Sequence, residues 1–421
     1  MRVRILQVNK FLYRRGGAES YMLGLAERQR DRGDTVEFFG MDHPDNEPAQ
    51  SLQGTFPPHV ELEPAPRGAQ RLTSAARMIW SLAGQRGMAA ALRELRPDMV
   101  HCHNIYHQLS PSILLPVHRA GIPCVMTLHD YKLACPNYQL LDHGSICEAC
   151  VGGGTWHATA RRCKDGSLTA SALLSLESGV HRLARAYDKV DLFISPSHFL
   201  ADVMRRAGVA DDRLRVVPNY ADLQQFQPAP VGGTELLFVG RLSHEKGVDV
   251  LVDAVGMMPE GTRLSIAGDG PQRAALAQRA DRVAPGRVTF HGRVDGGRVR
   301  ELLASAAVSV VPSRWHENQP MTILESFAMS VPVVVTNLGG MPELVRDGAE
   351  GLVVPPDDAT ALAGALSRLL EDPEKRRLMG EQARARVVAE FGIDRHLARI
   401  DEVYAEATAR VRARRAVGGR R

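Results

Sequence analysis

Short β-branched runs alternate with helical patterns along this chain, and the alternation runs through twice. A strand that is followed by a helix returns parallel to its predecessor, so repeated alternation builds a parallel sheet with helices on both faces. The first train of strands reads Val3–Val8, Thr35–Phe39, Met99–His103, Pro123–Leu128, Leu192–Ile194 and Leu214–Val217. An amphipathic helix over Ala18–Arg32 stops at Gly33, and another helix opens at Ser110-Pro111, a capping residue followed by a proline at the first helical position.

After the turn-rich Pro218-Asn219 and Pro228–Gly233 the pattern restarts with Leu236–Val239, Leu264–Ala267, Val288–His291, Val308–Val311, Val331–Thr336 and Leu352–Val354. Val331-Pro-Val-Val-Val335 is apolar at successive positions, which suits a strand covered on both faces. A length of 421 residues allows two or three domains. The expectation is an α/β protein of two doubly wound domains. Residues 1–218 form the first, with an irregular segment at about 131–167, and residues 219–394 the second. Residues 395–421 then form a helix that returns to the first domain and ends in a basic tail. Open α/β sheets bind ligands beyond the carboxyl ends of their strands, so motifs that directly follow strands are the functional candidates.

Charge excludes one class of partner. Lys and Arg number 52 against 48 Asp and Glu, but six arginines fall within residues 409–421, leaving 46 basic and 48 acidic side chains elsewhere. That body is slightly acidic, so nucleic acid is not an expected partner. The tail, with Gly418-Gly419 and Arg420-Arg421, is expected to be solvated, with contact to anionic lipid headgroups as the alternative. No run approaches the ~18 apolar residues of a membrane span, and the first residues read as a strand and not a secretory signal. The expected location is cytoplasmic, at most peripheral at the inner face of a membrane.

The motifs do fall after strands. Phe238-Val-Gly-Arg-Leu-Ser-His-Glu-Lys-Gly247 places Arg241 and Lys246 where a strand hands over to a helix, so two cations and free N–H groups can converge on phosphate. A solvated surface pair at a helix start is the bland alternative. In Trp315–Ala328, Pro320 suits a first helical turn, which leaves Glu317 in the preceding loop and Glu325 inside the helix. Carboxylates accept from vicinal hydroxyls of a sugar or ribose, although a buried paired acid also explains Glu325. Gly339-Gly340 allows close backbone approach to an anion, and Gly16-Gly17 after the first strand does the same. His103-Asn104 and His129-Asp130 end two further strands. Gly268-Asp-Gly270 begins like a dinucleotide fingerprint, but Arg273 occupies the third glycine position and the downstream acid is missing, so hydride transfer is not expected.

Gly240-Arg241 with Lys246, Glu317-x7-Glu325, Gly339-Gly340 and Gly16-Gly17-Ala-Glu19 together resemble the retaining glycosyltransferases of family 4, which have the GT-B fold. The resemblance covers almost the whole chain. It implies two Rossmann-like domains facing across a cleft, with the final helix crossing back to the first. It implies that Arg241 and Lys246 bind the diphosphate of a UDP-, GDP- or ADP-sugar, Glu317 the donor sugar and Glu325 the ribose, with His129 against the reacting sugar. The acceptor would be a glycan, a glycolipid or a small molecule, as in polysaccharide biosynthesis. No Asp-x-Asp motif follows a strand, so no cofactor is expected for the chemistry. The rivals are a nucleotide-sugar-binding or zinc-stabilised interaction protein without turnover, and an epimerase on the same scaffold. A phosphorylase would need a pyridoxal-binding lysine, for which no position stands out.

One cluster departs from that family pattern. Cys135, Cys147, Cys150 and Cys163, with a C-x2-C core, supply the ligand count of a closed, structural zinc site; free thiols or a disulfide are the alternatives. His143 and His157 are spare ligands for it. Cys102 and Cys124 lie within strands and read as small buried hydrophobes.

Overall fold

The computed structural model describes residues 2–47, 51–60, 69–228 and 233–418. Two six-stranded sheets carry the chain. The first contains β1 (Arg4–Val8), β2 (Thr35–Phe39), β3 (Met99–Cys102) and β4 (Cys124–Thr127). After a small hairpin of β5 (Leu141–Asp142) and β6 (Ser145–Ile146), it continues with β7 (Leu192–Ser195) and β8 (Leu214–Val216). The second contains β9 (Glu235–Val239), β10 (Leu264–Ala267), β11 (Val288–Gly292), β12 (Ala306–Val311), β13 (Val333–Thr336) and β14 (Gly351–Val354). Their orders are β2-β1-β3-β4-β7-β8 and β11-β10-β9-β12-β13-β14, and neighbours within each sheet run parallel.

Both orders reverse direction once, between β1 and β3 in the first sheet and between β9 and β12 in the second. At such a switch point adjacent loops diverge to opposite faces and leave a crevice at the carboxyl ends. Gly16-Gly17 follows β1, Arg241 and Lys246 follow β9, and Glu317 follows β12. The topology therefore aims the sequence motifs at the two crevices.

The strands form where consecutive apolar residues allow burial on both faces: β3, β4, β7, β12 and β13 are buried at every position. The irregular 131–167 segment holds the β5–β6 hairpin and a short helix, His157–Ala160. These elements are too short to show a period in sequence. The Pro228–Gly233 link lies outside the described residues over 229–232, as do residues 419–421 of the tail.

The tail differs from the solvated arm read from sequence. Helix Ile393–Gly418 crosses to the first domain and buries Ile400, Val403, Tyr404 and Ala407 in that domain's core. Its arginines act as clips. Arg410 bonds Asp212 and Glu406, Arg414 Nη1 lies 2.8 Å from Asp191 Oδ1, and Arg415 Nη2 donates to the carbonyls of Ala120 (2.8 Å) and Gly121 (3.0 Å). Burial of those apolar groups on a 26-residue helix outweighs the solvation of a charged tail, and the more exposed Arg410 ion pairs add only ~0–1 kcal/mol each. Arg410, Arg414 and Arg415 are thus engaged with the protein's own surface. Among the described residues no helix is long and apolar enough to cross a membrane.

Candidate active site

The second domain's wall of the cleft is built from three loops. After β9 the chain makes a 3-10 turn, His244–Lys246, and then Gly247 at φ +64° before helix Val248–Met257. A Cβ on Gly247 would stand 2.1 Å from the Pro312 carbonyl, so glycine alone lets this loop lie against the one after β12. That contact carries Lys246 to Glu317. Their Nζ–Oε1 distance is 2.6 Å, Ser313 Oγ donates to the same oxygen at 2.6 Å, and the ammonium stands 5.2 Å from the Trp315 ring centroid. Burial alone would raise the Glu317 pKa, but the Lys246 charge and the hydrogen bonds outweigh it and hold the carboxyl below its ordinary value. Arg241, five residues upstream, is exposed, and its guanidinium has no hydrogen bond or ion pair with the described residues. One cation is thus held by a carboxylate, and one is open.

Gly339 and Gly340 lie directly beneath Glu317. Gly340 N donates to Glu317 O at 2.7 Å. A Cβ on Gly339, at φ +61°, would come within 2.2 Å of that carbonyl oxygen, and one on Gly340 within 1.9 Å of Asn318 O. The close approach read from the two glycines is therefore made first of all by the protein's own 317–318 backbone. Gly268 and Gly270 have the same explanation, since Cβ atoms there would meet Gly240 O at 1.8 Å and Leu242 O at 2.4 Å. The pair that mimics a dinucleotide motif packs the Arg241 loop.

Glu325 sits one turn inside helix Met321–Ala328. It is half-buried, no described side chain bonds it, and burial raises its pKa to about 7. The alternative of a paired internal acid is therefore not what the structure shows. Gly16 is the N-cap of helix Gly17–Asp31, and nothing stands within 4 Å of the position a Gly17 Cβ would take.

Several contacts join the two walls. Asn318 Nδ2 donates to His129 O at 2.8 Å, Tyr131 OH to His316 O at 2.9 Å, and Arg293 Nη2 to Arg14 O at 3.2 Å beside the Gly16-Gly17 turn. The Glu343 carboxylate accepts from His198 N and Phe199 N, at 2.8 and 2.6 Å, and so caps helix His198–Arg206 of the opposite domain. His129 lies at this junction, half-buried, with burial lowering its pKa to about 4. The structure thus gathers Lys246, Glu317, Gly339, Gly340 and His129, with Arg241 on the Lys246 loop. Ser313, Asn318, Tyr131 and Glu343 were not read from sequence. Serine and asparagine at strand ends are too common to signal anything, and Glu343 acts on a helix 144 residues away.

The four insertion cysteines are free thiols, with Cys135 and Cys150 buried. Burial, reinforced by the neighbouring thiols, raises Cys150 to about 11; burial first, then Asp142 and the other thiols, raises Cys163 to about 12. Cys135 Sγ donates to Asn137 Oδ1 at 2.9 Å. Among the described residues no group of three or more His, Cys, Asp or Glu side chains is placed to hold a metal ion. The donor set has the right softness and number, but its sulfurs are not arranged as ligands here.

Two doubly wound parallel sheets, joined near residues 218–233 and again by the crossing helix, and facing across a cleft lined by strand-end loops, define the GT-B architecture. Comparison with known proteins gives the family. Residues 15–225 match the family described as Glycosyltransferase Family 4, and residues 233–372 the one described as Glycosyl transferases group 1. The chain belongs to glycosyltransferase family 4. It is 27% identical to the D-inositol 3-phosphate glycosyltransferase of Xylanimonas cellulosilytica, over 95% of this chain and 94% of that one. It is 29% identical to a glycogen synthase of Mycobacterium tuberculosis, over 75% and 72%. Among solved structures, the sucrose-phosphate synthase of Thermosynechococcus elongatus superimposes with a TM-score of 0.71 at 21% identity, covering 97% of this chain and all (100%) of that one. Anabaena HepE, solved in complex with UDP and glucose, gives 0.67 at 18% identity, covering 96% and 100%.

Proposed function

We propose that this glycosyltransferase moves a hexose from a nucleoside diphosphate sugar to a glycan, lipid-linked or small-molecule acceptor, with retention at the anomeric carbon. The observation that carries the reading is the Lys246–Glu317 pair at 2.6 Å, with Arg241 unpaired on the same strand-to-helix loop. Cleavage of the glycosyl–phosphate bond leaves positive charge on the sugar and negative charge on the departing diphosphate. Arg241 and Lys246 meet the second, and Glu317 takes hydroxyls of the sugar. The acceptor oxygen bonds the anomeric carbon on the face the phosphate leaves, and its proton passes to the leaving phosphate oxygen. His129 stands at the wall from which the acceptor approaches. HepE's complex with UDP and glucose supports a uridine donor as the first to test. Calorimetric titration with UDP-, GDP- and ADP-sugars tests the reading, followed by transfer of labelled sugar from the one that binds. Failure of all three to bind would overturn it, and binding without transfer would favour a non-catalytic binding protein.

Glu325 gives the proposal a pH signature. Its role is to accept the ribose hydroxyls as a carboxylate, and its pKa in the free protein is about 7. Ionisation therefore rises across neutrality, and donor KM is expected to fall several-fold between pH 6 and pH 8. Stability runs the other way: a raised carboxyl pKa contributes stability below its unfolded value of about 4.3, and this is lost as pH rises through 7. In Glu325→Gln the KM profile should flatten; an unaltered slope would remove Glu325 from the donor site.

The cysteine segment supports a structural zinc by spacing alone, as a brace for the acceptor-side loop and not a reagent. Freshly purified reduced protein should then hold about one zinc per chain. Less than half of that, by metal analysis, would leave the four as thiols.

A further inference from the structure

Helix Leu168–Leu183 of the first domain turns its polar side inward. It buries Ser171, Leu174, Glu177 and His181, and the three polar groups are matched. Glu177 accepts from Lys132 Nζ at 2.7 Å and from His107 Nδ1 at 2.9 Å. Ser171 Oγ accepts from Lys164 N at 3.0 Å, and His181 Nε2 donates to Ile79 O at 2.7 Å. The outer side is apolar. Leu168, Ala172, Leu176, Gly179 and Leu183 share one stripe, within about 80° of arc at ~3.6 residues per turn. No charged residue interrupts it, Leu168 and Leu176 are exposed, and Leu183 is 87% exposed. A surface helix ordinarily shows the reverse arrangement.

The apolar surface continues beyond the helix. Trp156, 61% exposed, stands before the short helix His157–Ala160 and, with Leu176, Gly179 and Leu183, lines a groove of about 630 Å³. Helix Ala69–Ile79 packs against Leu168–Leu183 and leaves Leu72 77% exposed. The charges around this surface have nearly one sign. Residues 154–186 hold five cations, Arg161, Arg162, Lys164, Arg182 and Arg185, against two acids, of which Glu177 points inward and Asp165 pairs with Lys164. Residues 67–82 hold three arginines and no acid. Asp142 and Asp188 pair with Arg161 and Arg185. The Arg162 guanidinium has no partner among the described residues, and Arg182 donates to the Gly153 carbonyl at 3.0 Å.

We infer that this face is a docking surface for an anionic phospholipid bilayer. Leucines that stand clear of the surface have no protein walls to pack against, whereas acyl chains close around whatever shape enters them. Trp and Arg suit the headgroup level, the indole by its amphipathic ring and the guanidinium by its charge. A second copy of the chain is the poorer occupant, because a two-fold contact sets the patch on itself with arginines facing arginines. Glu177 ties the inner side of the same helix to Lys132, three residues past His129. The docked face therefore lies one helix behind the first domain's wall of the cleft. Vesicle binding is read without donor or acceptor, so it fails separately from the transfer reaction.

The test is sedimentation of the full chain with phosphatidylcholine vesicles, with and without phosphatidylglycerol. Binding to the anionic vesicles is expected to be ~10-fold tighter or more, and to weaken with added salt. Trp156 is a built-in reporter: emission should shift to the blue on binding, and the shift should vanish in Trp156→Phe. Leu176→Glu and Leu183→Glu change exposed side chains and should each lower the vesicle partition ~10-fold or more, with Arg162→Glu lowering it several-fold. Leu378→Glu alters a leucine of the second domain that is 44% exposed, and should bind as the wild type does. Equal affinity for neutral and anionic vesicles, an unshifted Trp156 in bound protein, or wild-type binding by Leu183→Glu would each overturn the inference. So would a wild-type dimer in analytical ultracentrifugation that Leu183→Glu dissociates, with no vesicle binding by either, which would give the face to a second copy.

Discussion

Arg241→Ala and Lys246→Ala are each expected to lower kcat/KM by ~10²-fold or more, the size of effect seen when a charge contact made chiefly in a transition state is removed. The two variants should differ in everything else. Arg241 is exposed and unpaired, so its removal takes nothing from the folded state and the melting temperature should stay within about a degree. Lys246 neutralises Glu317, whose side chain is only 8% exposed. Lys246→Ala leaves that carboxylate in a partly dry site, with Ser313 as its remaining close partner, at a cost of ~1–3 kcal/mol and with a raised Glu317 pKa. In the wild type the Glu317 pKa is depressed, so its stabilisation is present above the unfolded value and disappears as pH falls. In Lys246→Ala that dependence should shrink or invert. Thermal melts at pH 5 and pH 8, run beside initial rates, read both quantities. Wild-type turnover in either variant would refute the diphosphate assignment. If both act on one leaving group, the double variant should fall by less than the product of the single effects.

Gly339→Ala is the second large effect, and it tests packing more than charge. A left-handed backbone costs a β-carbon ~1–2 kcal/mol, and here the added atom would also stand 2.2 Å from Glu317 O and 2.7 Å from Glu317 N. The Glu317 loop must yield. A displacement of about 1 Å at a positioning residue lowers turnover ~10²-fold, so kcat/KM should collapse even where the protein remains folded. Gly348→Ala is the control: φ is also positive, at +80°, but nothing stands within 4 Å of the new atom. It should lose ~1 kcal/mol of stability and no activity. Equal activity losses in both would mean that Gly339 acts through general destabilisation and not through Glu317.

Much of the fold was legible because parallel strands buried on both faces write themselves as unbroken apolar runs. Val308–Val311 and Val331–Thr336 fall within a residue or two of β12 and β13. The second-domain motifs were legible because a switch point places candidate site residues directly after strands. What sequence withholds is pairing at distance. Lys246 and Glu317 are 71 residues apart, and spacing alone does not say that they meet. The glycines are a subtler case: Gly339-Gly340 and Gly268-Asp-Gly270 signal close approach, but the approaching group is another loop's backbone, which no local pattern names. The arginines of the tail misled because composition records charge without its partner, and Asp191 and Asp212 lie some 200 residues upstream. The buried polar contacts of the first sheet, His101 with Tyr404 of the crossing helix and His103 with Gln7, left one trace. His101 lies in β3 and His103 one residue past its end, two apart in an otherwise apolar run, and Gln7 interrupts β1, so that much buried polarity had to be matched somewhere.

The crossing helix has a consequence for how the protein is made. Ile400, Val403, Tyr404 and Ala407 complete a core whose first members are Ile5 and Leu6, and the whole second sheet is translated between them. Domains usually fold as they leave the ribosome, N-terminal first. Here the earlier half emerges without the helix that seals it, its buried histidines and glutamines still lacking Tyr404, while the later half is free to fold at once. The half made first is the last to close.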